Sequence, residues 1–180
     1  MIHQFFSKMK GGSLPPPRLQ GRAILWTMFA SALAMLVIGL ANHAVHDHMG
    51  APLIMAPLGA SAVLVFGIYK SPFAQPRNVV GGHTLSALAG VTVYQIMGGG
   101  NEIVAVAIAV PLAMGLMHFT GMMHPPGGAT AFLGAAGGEA FHAMGYWFVL
   151  TPCLAGSITI ILLALILNNI PHRQKYPTYW

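Results

Sequence analysis

From Ala23 to Asn42 the chain runs for twenty residues without a charged side chain. Coiled as a helix at ~1.5 Å per residue, such a run crosses a ~30 Å hydrocarbon layer. A helix that is apolar on every face has no place on the surface of a soluble domain. Comparable stretches recur at residues 51–69, 79–97, 102–120, about 125–137 and 145–169. Only 6% of the residues are charged and 56% are hydrophobic, where soluble domains carry about 25% charged residues. The chain therefore reads as an all-α, polytopic transmembrane helix bundle of about six segments.

The sparse charge orients these segments. The eight basic residues are Lys8, Lys10, Arg18, Arg22, Lys70, Arg77, Arg173 and Lys175. If all six segments cross and the N-terminus is cytoplasmic, every one of the eight is cytoplasmic. Asp47, Glu102 and Glu139 then fall outside. Short cytoplasmic loops collect Lys and Arg in this way. A four-span arrangement with segments two and five re-entrant would put Lys70 and Arg77 outside and fits the charges less well. The expected organisation is a cytoplasmic tail over 1–22, a single transmembrane domain over 23–170 and a cytoplasmic tail over 171–180, in a bacterial inner membrane. Pro15-Pro16-Pro17 lies in the lead. No small-residue cleavage site follows it, so the first segment reads as a signal anchor. No basic face with interleaved aromatics points to nucleic acid. The lone Cys153 cannot form an intramolecular disulfide and leaves the redox compartment open.

Within this apolar chain, Met122-Met123-His124-Pro125-Pro126-Gly127-Gly128-Ala129-Thr130-Ala131 is written in helix-breaking and helix-starting residues. Proline suits the first turn of a helix. The first N–H groups there lack partners and the macrodipole adds positive charge, so such a start attracts anions. The pattern P-x-G-A-[S/T]-A occurs twice, at Pro57–Ala62 and, 69 residues later, at Pro126–Ala131. The chain then divides into repeat one, 23–97, and repeat two, 102–170, of three segments each. An odd number of crossings per repeat turns the second upside down, the plan of many transporters with discontinuous helices. The expected bundle is two inverted three-helix repeats with two broken or half-helices. An anion would sit on Gly59, Ala60 and Ser61 from one side and Gly127, Gly128, Ala129 and Thr130 from the other. Pro57 and Pro126 would set the helix starts. The competing reading is that these small residues only let helices pack closely.

His83 lies inside an apolar segment and His124 abuts the prolines. Ionisable groups in spans are expensive and mark function, and histidine can donate to an anion or take up a proton near neutral pH. Both are candidates for gating or proton coupling, with Asn78 and Thr84 in support. Alternatively, both sit at the interface with their polar tips in the headgroups. His43, His46, Asp47 and His48 could suggest a metal, but no compact ligand set such as H-E-x-x-H appears. They read as a solvated external loop, and no metal or other cofactor is expected. The twelve methionines read as gap-filling. There is no G-x-S-x-G elbow, no P-loop and no pair of carboxylates inside a span, which argues against an enzyme.

The stretch His124–Ala131 resembles the signature of the HPP family of integral membrane proteins. Pro57–Ala62 and the block from Pro76-Arg77-Asn78 to Gly82-His83 resemble its other recognisable segments, and the similarity covers about residues 20–170. The resemblance implies four or more spans. Plastid and cyanobacterial members are implicated in nitrite transport, so it also implies a carrier of nitrite-like anions. Many bacterial members continue into CBS domains; with the sequence ending at Trp180, nucleotide regulation within the chain is not expected. The expected function is a transporter or channel for a small monovalent anion, nitrite being the best single choice. The alternative is a non-transporting scaffold or sensor that couples to a cytoplasmic partner. A scaffold predicts a dry, close-packed centre between segments two and five, a transporter a polar cavity. A metal transporter using His43, His46 and His48 is a third reading. The expected partners are a small inorganic anion, the bilayer and a second copy, two-fold assemblies being commonest.

Overall fold

Apolar runs broken by glycine and proline fold here into helices of unequal length. The computed structural model describes residues 2–10, 15, 18–19, 21–49, 55–172 and 174–180, and their regular structure is entirely helical. The helices are α1 (Ile2–Ser7), α2 (Arg22–Met49), α3 (Ala56–Gly67), α4 (Pro76–Met97), α5 (Glu102–Thr120), α6 (Pro126–Ala136), α7 (Glu139–Met144) and α8 (Ala155–Leu167). Val149–Leu154 forms a wide helical turn ahead of α8, broken at Thr151 (φ −140°, ψ 120°). Arg22–His43, Glu102–Thr120 and Val149–Leu167 are long and apolar enough to cross a membrane. The 12 residues of α3 and 11 of α6 reach only about 18 and 17 Å as helices, roughly half a bilayer core. α4 has 22 residues but carries Asn78, His83, Thr84 and Ser86.

Three details differ from the sequence reading. α2 continues through Asn42 and His43 to Met49, where a loop was expected. No glycine or proline interrupts residues 42–49, and polar residues can extend a helix past the hydrocarbon. α7 occupies the expected loop around Glu139 and His142; Gly138 (φ 84°) and Gly145 (φ 51°) set its ends. α1 and a turn of 3-10 helix at Lys8–Lys10 stand in the N-terminal lead. The side chains of His46, Asp47 and His48 lie outside the described residues, and with them the proposed histidine cluster. Among the described residues no three His, Cys, Asp or Glu side chains come together as a metal site.

The long leading helices of the two halves bury matching stripes. Ala30, Ala34 and Ile38 of α2 are buried against α3 and α8. Ala105, Ala109, Ala113 and Met117 form the buried face of α5. A spacing of four places each set on one helix face, and small residues there allow the close approach that membrane helices need. The opposite faces present Leu25, Met28, Phe29, Leu36 and Leu40 on α2, and Ile103, Ile108, Leu112 and Phe119 on α5, to the outside. The tight turn at Gly98–Asn101 forms as its residues direct. Gly98 ends α4 at φ 60°, and Asn101 Oδ1 accepts from Ile103 N at 3.0 Å and Val104 N at 3.3 Å.

α4 packs most extensively against α6, and the contact runs backbone to backbone. A Cβ on Gly90 would lie 2.4 Å from the Ala131 carbonyl oxygen, and one on Gly134 would lie 3.0 Å from Val91 N. A backbone atom cannot rotate away as a side chain can. Gly90→Ala is therefore expected to lower the unfolding midpoint in detergent by an amount equivalent to about 1–3 kcal/mol, the usual cost of overpacking. An unchanged midpoint would mean that α4 and α6 separate freely.

Candidate functional site

Each of the two proline-led short helices carries one hydroxyl toward the centre of the bundle. On α3 it is Ser61, on α6 Thr130, and neither is exposed at all. His83 sits about 10 Å along α4 by helix rise and lies between them. Its Nε2 is 2.7 Å from Ser61 Oγ and its Nδ1 is 2.7 Å from Thr130 Oγ1. His124, in the short connection between α5 and α6, brings its Nε2 within 2.8 Å of the same Ser61 Oγ. Its Nδ1 is 2.7 Å from the Phe73 carbonyl oxygen. The rings lie edge to face, with centroids 4.9 Å apart. Gly82 makes this possible: a Cβ there would come within 2.4 Å of His124 Cβ.

The Phe73 carbonyl can only accept, and this fixes the direction of the whole chain when both histidines are neutral. His124 Nδ1–H donates to Phe73. His124 Nε2 is then an acceptor, so Ser61 O–H donates to it. Ser61 Oγ accepts from His83 Nε2–H, and Thr130 O–H donates to His83 Nδ1. Ser61 has a second outlet, the Pro57 carbonyl at 3.0 Å. If its hydroxyl turns to Pro57, its oxygen lone pairs can accept from both Nε2–H groups at once. These contacts can therefore accommodate one added proton, on His124 Nε2, with every partner satisfied if the Ser61 hydroxyl turns to Pro57.

The donors differ from those expected. α3 starts at Ala56, so Gly59, Ala60 and Ser61 lie a turn inside it, where amide groups bond to carbonyls four residues back. Ala60 is exposed on the outside of the bundle, and so is Ala129. At α6, Gly127 N donates to His124 O at 2.8 Å and Gly128 N to Pro125 O at 3.0 Å. Side chains, not bare amides, therefore supply the polar centre. Pro57 contributes its carbonyl and Pro126 opens α6. Thr84 bonds to Val80 O of its own helix at 2.7 Å and stays out of the network. Asn78 supports it: its Nδ2 donates to Met123 O at 2.9 Å, next to His124. Ser86, one turn beyond His83 on the same face, is fully buried, and its hydroxyl lies 3.8 Å from Met117 Sδ.

The C-terminal residues lock the segment that carries Phe73. Tyr176 O–H donates to Ala74 O at 2.7 Å, and Thr178 N to Gln75 Oε1 at 2.8 Å. Tyr179 O–H reaches Pro72 O at 2.9 Å and Asn78 Oδ1 at 2.7 Å. Asn169 clasps the Tyr176 backbone, donating at 2.6 Å and accepting at 2.9 Å. Burial pushes the Tyr176 phenol well above its ordinary range, so it remains a donor. The four tyrosine and threonine contacts to the 72–78 segment have no short-range sequence signal, since they join residues about a hundred positions apart.

Residues 16–177 match the family described as HPP, transmembrane region. Two proteins of Dictyostelium discoideum, each named a transmembrane protein, are similar over nearly the whole chain. One is 40% identical over 179 residues, covering 98% of this chain and 57% of the relative. The other is 39% identical over 183 residues, covering 99% of this chain and 64% of the relative. The chain thus spans about six-tenths of the length of these curated relatives. No solved structure matches it. Its apolar helices, its paired proline-led motifs and this match together make the chain a multi-pass membrane protein belonging to the HPP family.

Proposed function

We propose that the protein carries a small monovalent anion across the membrane, with Thr130, His83, Ser61 and His124 as its gate and proton carrier. One observation carries the reading: a continuous, fully buried hydrogen-bond chain joins the two P-x-G-A motifs through His83 and continues from Ser61 to His124. Ionisable groups this deep in a membrane protein are costly unless they serve a pathway. A network that accepts one proton without orphaning a donor suits coupling of an anion to a proton. Apart from α7, each half runs long stretch, short helix, long stretch, counting Val149–Leu167 as one stretch, which supports two inverted repeats, 23–97 and 102–170. The placement of the basic residues supports cytoplasmic termini. Nitrite is the first substrate to test, on the family resemblance.

The test is uptake into proteoliposomes, with and without an inward proton gradient. Nitrite should move, and faster with the gradient. If nitrite, nitrate, formate and chloride all fail to move, the transport reading is lost. The second reading, a non-transporting scaffold, is favoured by the direct contact among the four polar side chains, which then act as a static pin. It predicts a stable protein and no flux of any of the four anions.

A further inference from the structure

A second feature lies apart from the histidine network, at one end of the bundle. A cleft of about 380 Å³ opens between the start of α2 and the chain following α8, lined by Arg22, Ala23, Trp26, Ile170, His172 and Gln174 with Pro171. Its level in the membrane follows from the spans themselves. Arg22 is the first residue of the crossing stretch Arg22–His43, and Leu167 is the last of Val149–Leu167. The cleft therefore sits where hydrocarbon gives way to headgroups. Trp26 fixes that level: its indole N–H donates to Leu167 O at 3.2 Å, an amphipathic ring at the boundary where such rings collect.

The lining is divided. Ala23, Trp26, Ile170 and Pro171 make an apolar wall, and Arg22, His172 and Gln174 make a donor-bearing rim. Among the described residues no acidic side chain lines it. A free phosphate would use only the rim and an acyl chain only the wall. A lipid with an anionic headgroup uses both, and basic pockets between helix ends at a membrane face are of the type that hold such headgroups.

We propose that this cleft binds an anionic phospholipid, its phosphate on Arg22 and His172 and its glycerol and first acyl carbons along Trp26 and Ile170. The proposal is independent of the transport reading. The test is native mass spectrometry of the protein released from nanodiscs made of equal parts phosphatidylglycerol and phosphatidylcholine. Phosphatidylglycerol should be retained several-fold over phosphatidylcholine. Arg22→Gln should weaken that retention about fivefold, the effect of one basic residue near a lipid surface, and Arg22→Lys should keep most of it. Equal retention of the two lipids by the unaltered protein overturns the proposal without recourse to any variant. So does an unchanged preference in Arg22→Gln combined with His172→Gln. Full displacement of the lipid by inorganic phosphate would assign the cleft to a free anion instead.

Discussion

Ser61→Ala is expected to destabilise the protein more than the loss of any other hydroxyl in the bundle. The Oγ is the common partner of His83 Nε2 and His124 Nε2, at 2.7 and 2.8 Å. Its removal leaves one ring N–H without an acceptor and one ring nitrogen without a donor, both buried. Each orphan costs about 1–3 kcal/mol, so the pair amounts to about 2–6 kcal/mol, or roughly 5–20 °C in the unfolding midpoint. Thermal unfolding in detergent measures this directly. The contrast is Thr159→Val. Thr159 Oγ1 bonds to Ala155 O of its own helix and joins no network, and little change should follow. If Ser61→Ala melts with the unaltered protein, the two histidines do not depend on the serine, and the role assigned to its hydroxyl fails.

His124→Gln separates the two tasks given to the histidines. The added proton of the network lies on His124 Nε2, because His83 already donates from its Nε2 and accepts at its Nδ1. Glutamine can still donate toward Phe73 O and accept from Ser61, so the packing around the α5–α6 connection should persist. It cannot take up a proton. Gradient-driven nitrite uptake should therefore fall roughly a hundredfold, the lower range of what a positioned proton carrier contributes, while the unfolding midpoint moves little. Retention of gradient-driven uptake would remove the proton from the mechanism. Equal loss of stability and uptake would make His124 a structural pin.

Much of this centre was visible in the residues. Breakers and polar side chains inside apolar runs are conspicuous, so the motifs at Pro57 and Pro126 and the residues His83 and His124 stand out before any fold is known. The buried stripe of Ala30, Ala34 and Ile38 follows the four-residue spacing of one helix face. What the residues could not give was the identity of the donors. The expectation left the amides of Gly59 to Ser61 free for an anion, yet prolines belong to the first turn, so α3 is already one turn along at Gly59. The amides there are spent on the helix itself. The partner of His124 was equally hidden, because it is a main-chain carbonyl some fifty residues away. The tail contacts to Gln75 and Asn78 are hidden for the same reason.

The place of the Phe73 carbonyl has a consequence for how the network can be changed. The group that sets its polarity is not a side chain, and Phe73 itself points outward, 40% exposed. Substitution scanning at position 73 should therefore look silent even though the last acceptor of the chain resides there. Sensitivity moves to whatever fixes the local path of the main chain: Ser71, Pro72 and Gln75 within the segment, and Tyr176 and Tyr179 above it. Altering the length of the 71–75 segment should reverse or scramble the orientation of every hydroxyl and ring proton from His124 to Thr130. The direction of the relay is thus written in the geometry of a connecting segment rather than in the letters of the residues that form it.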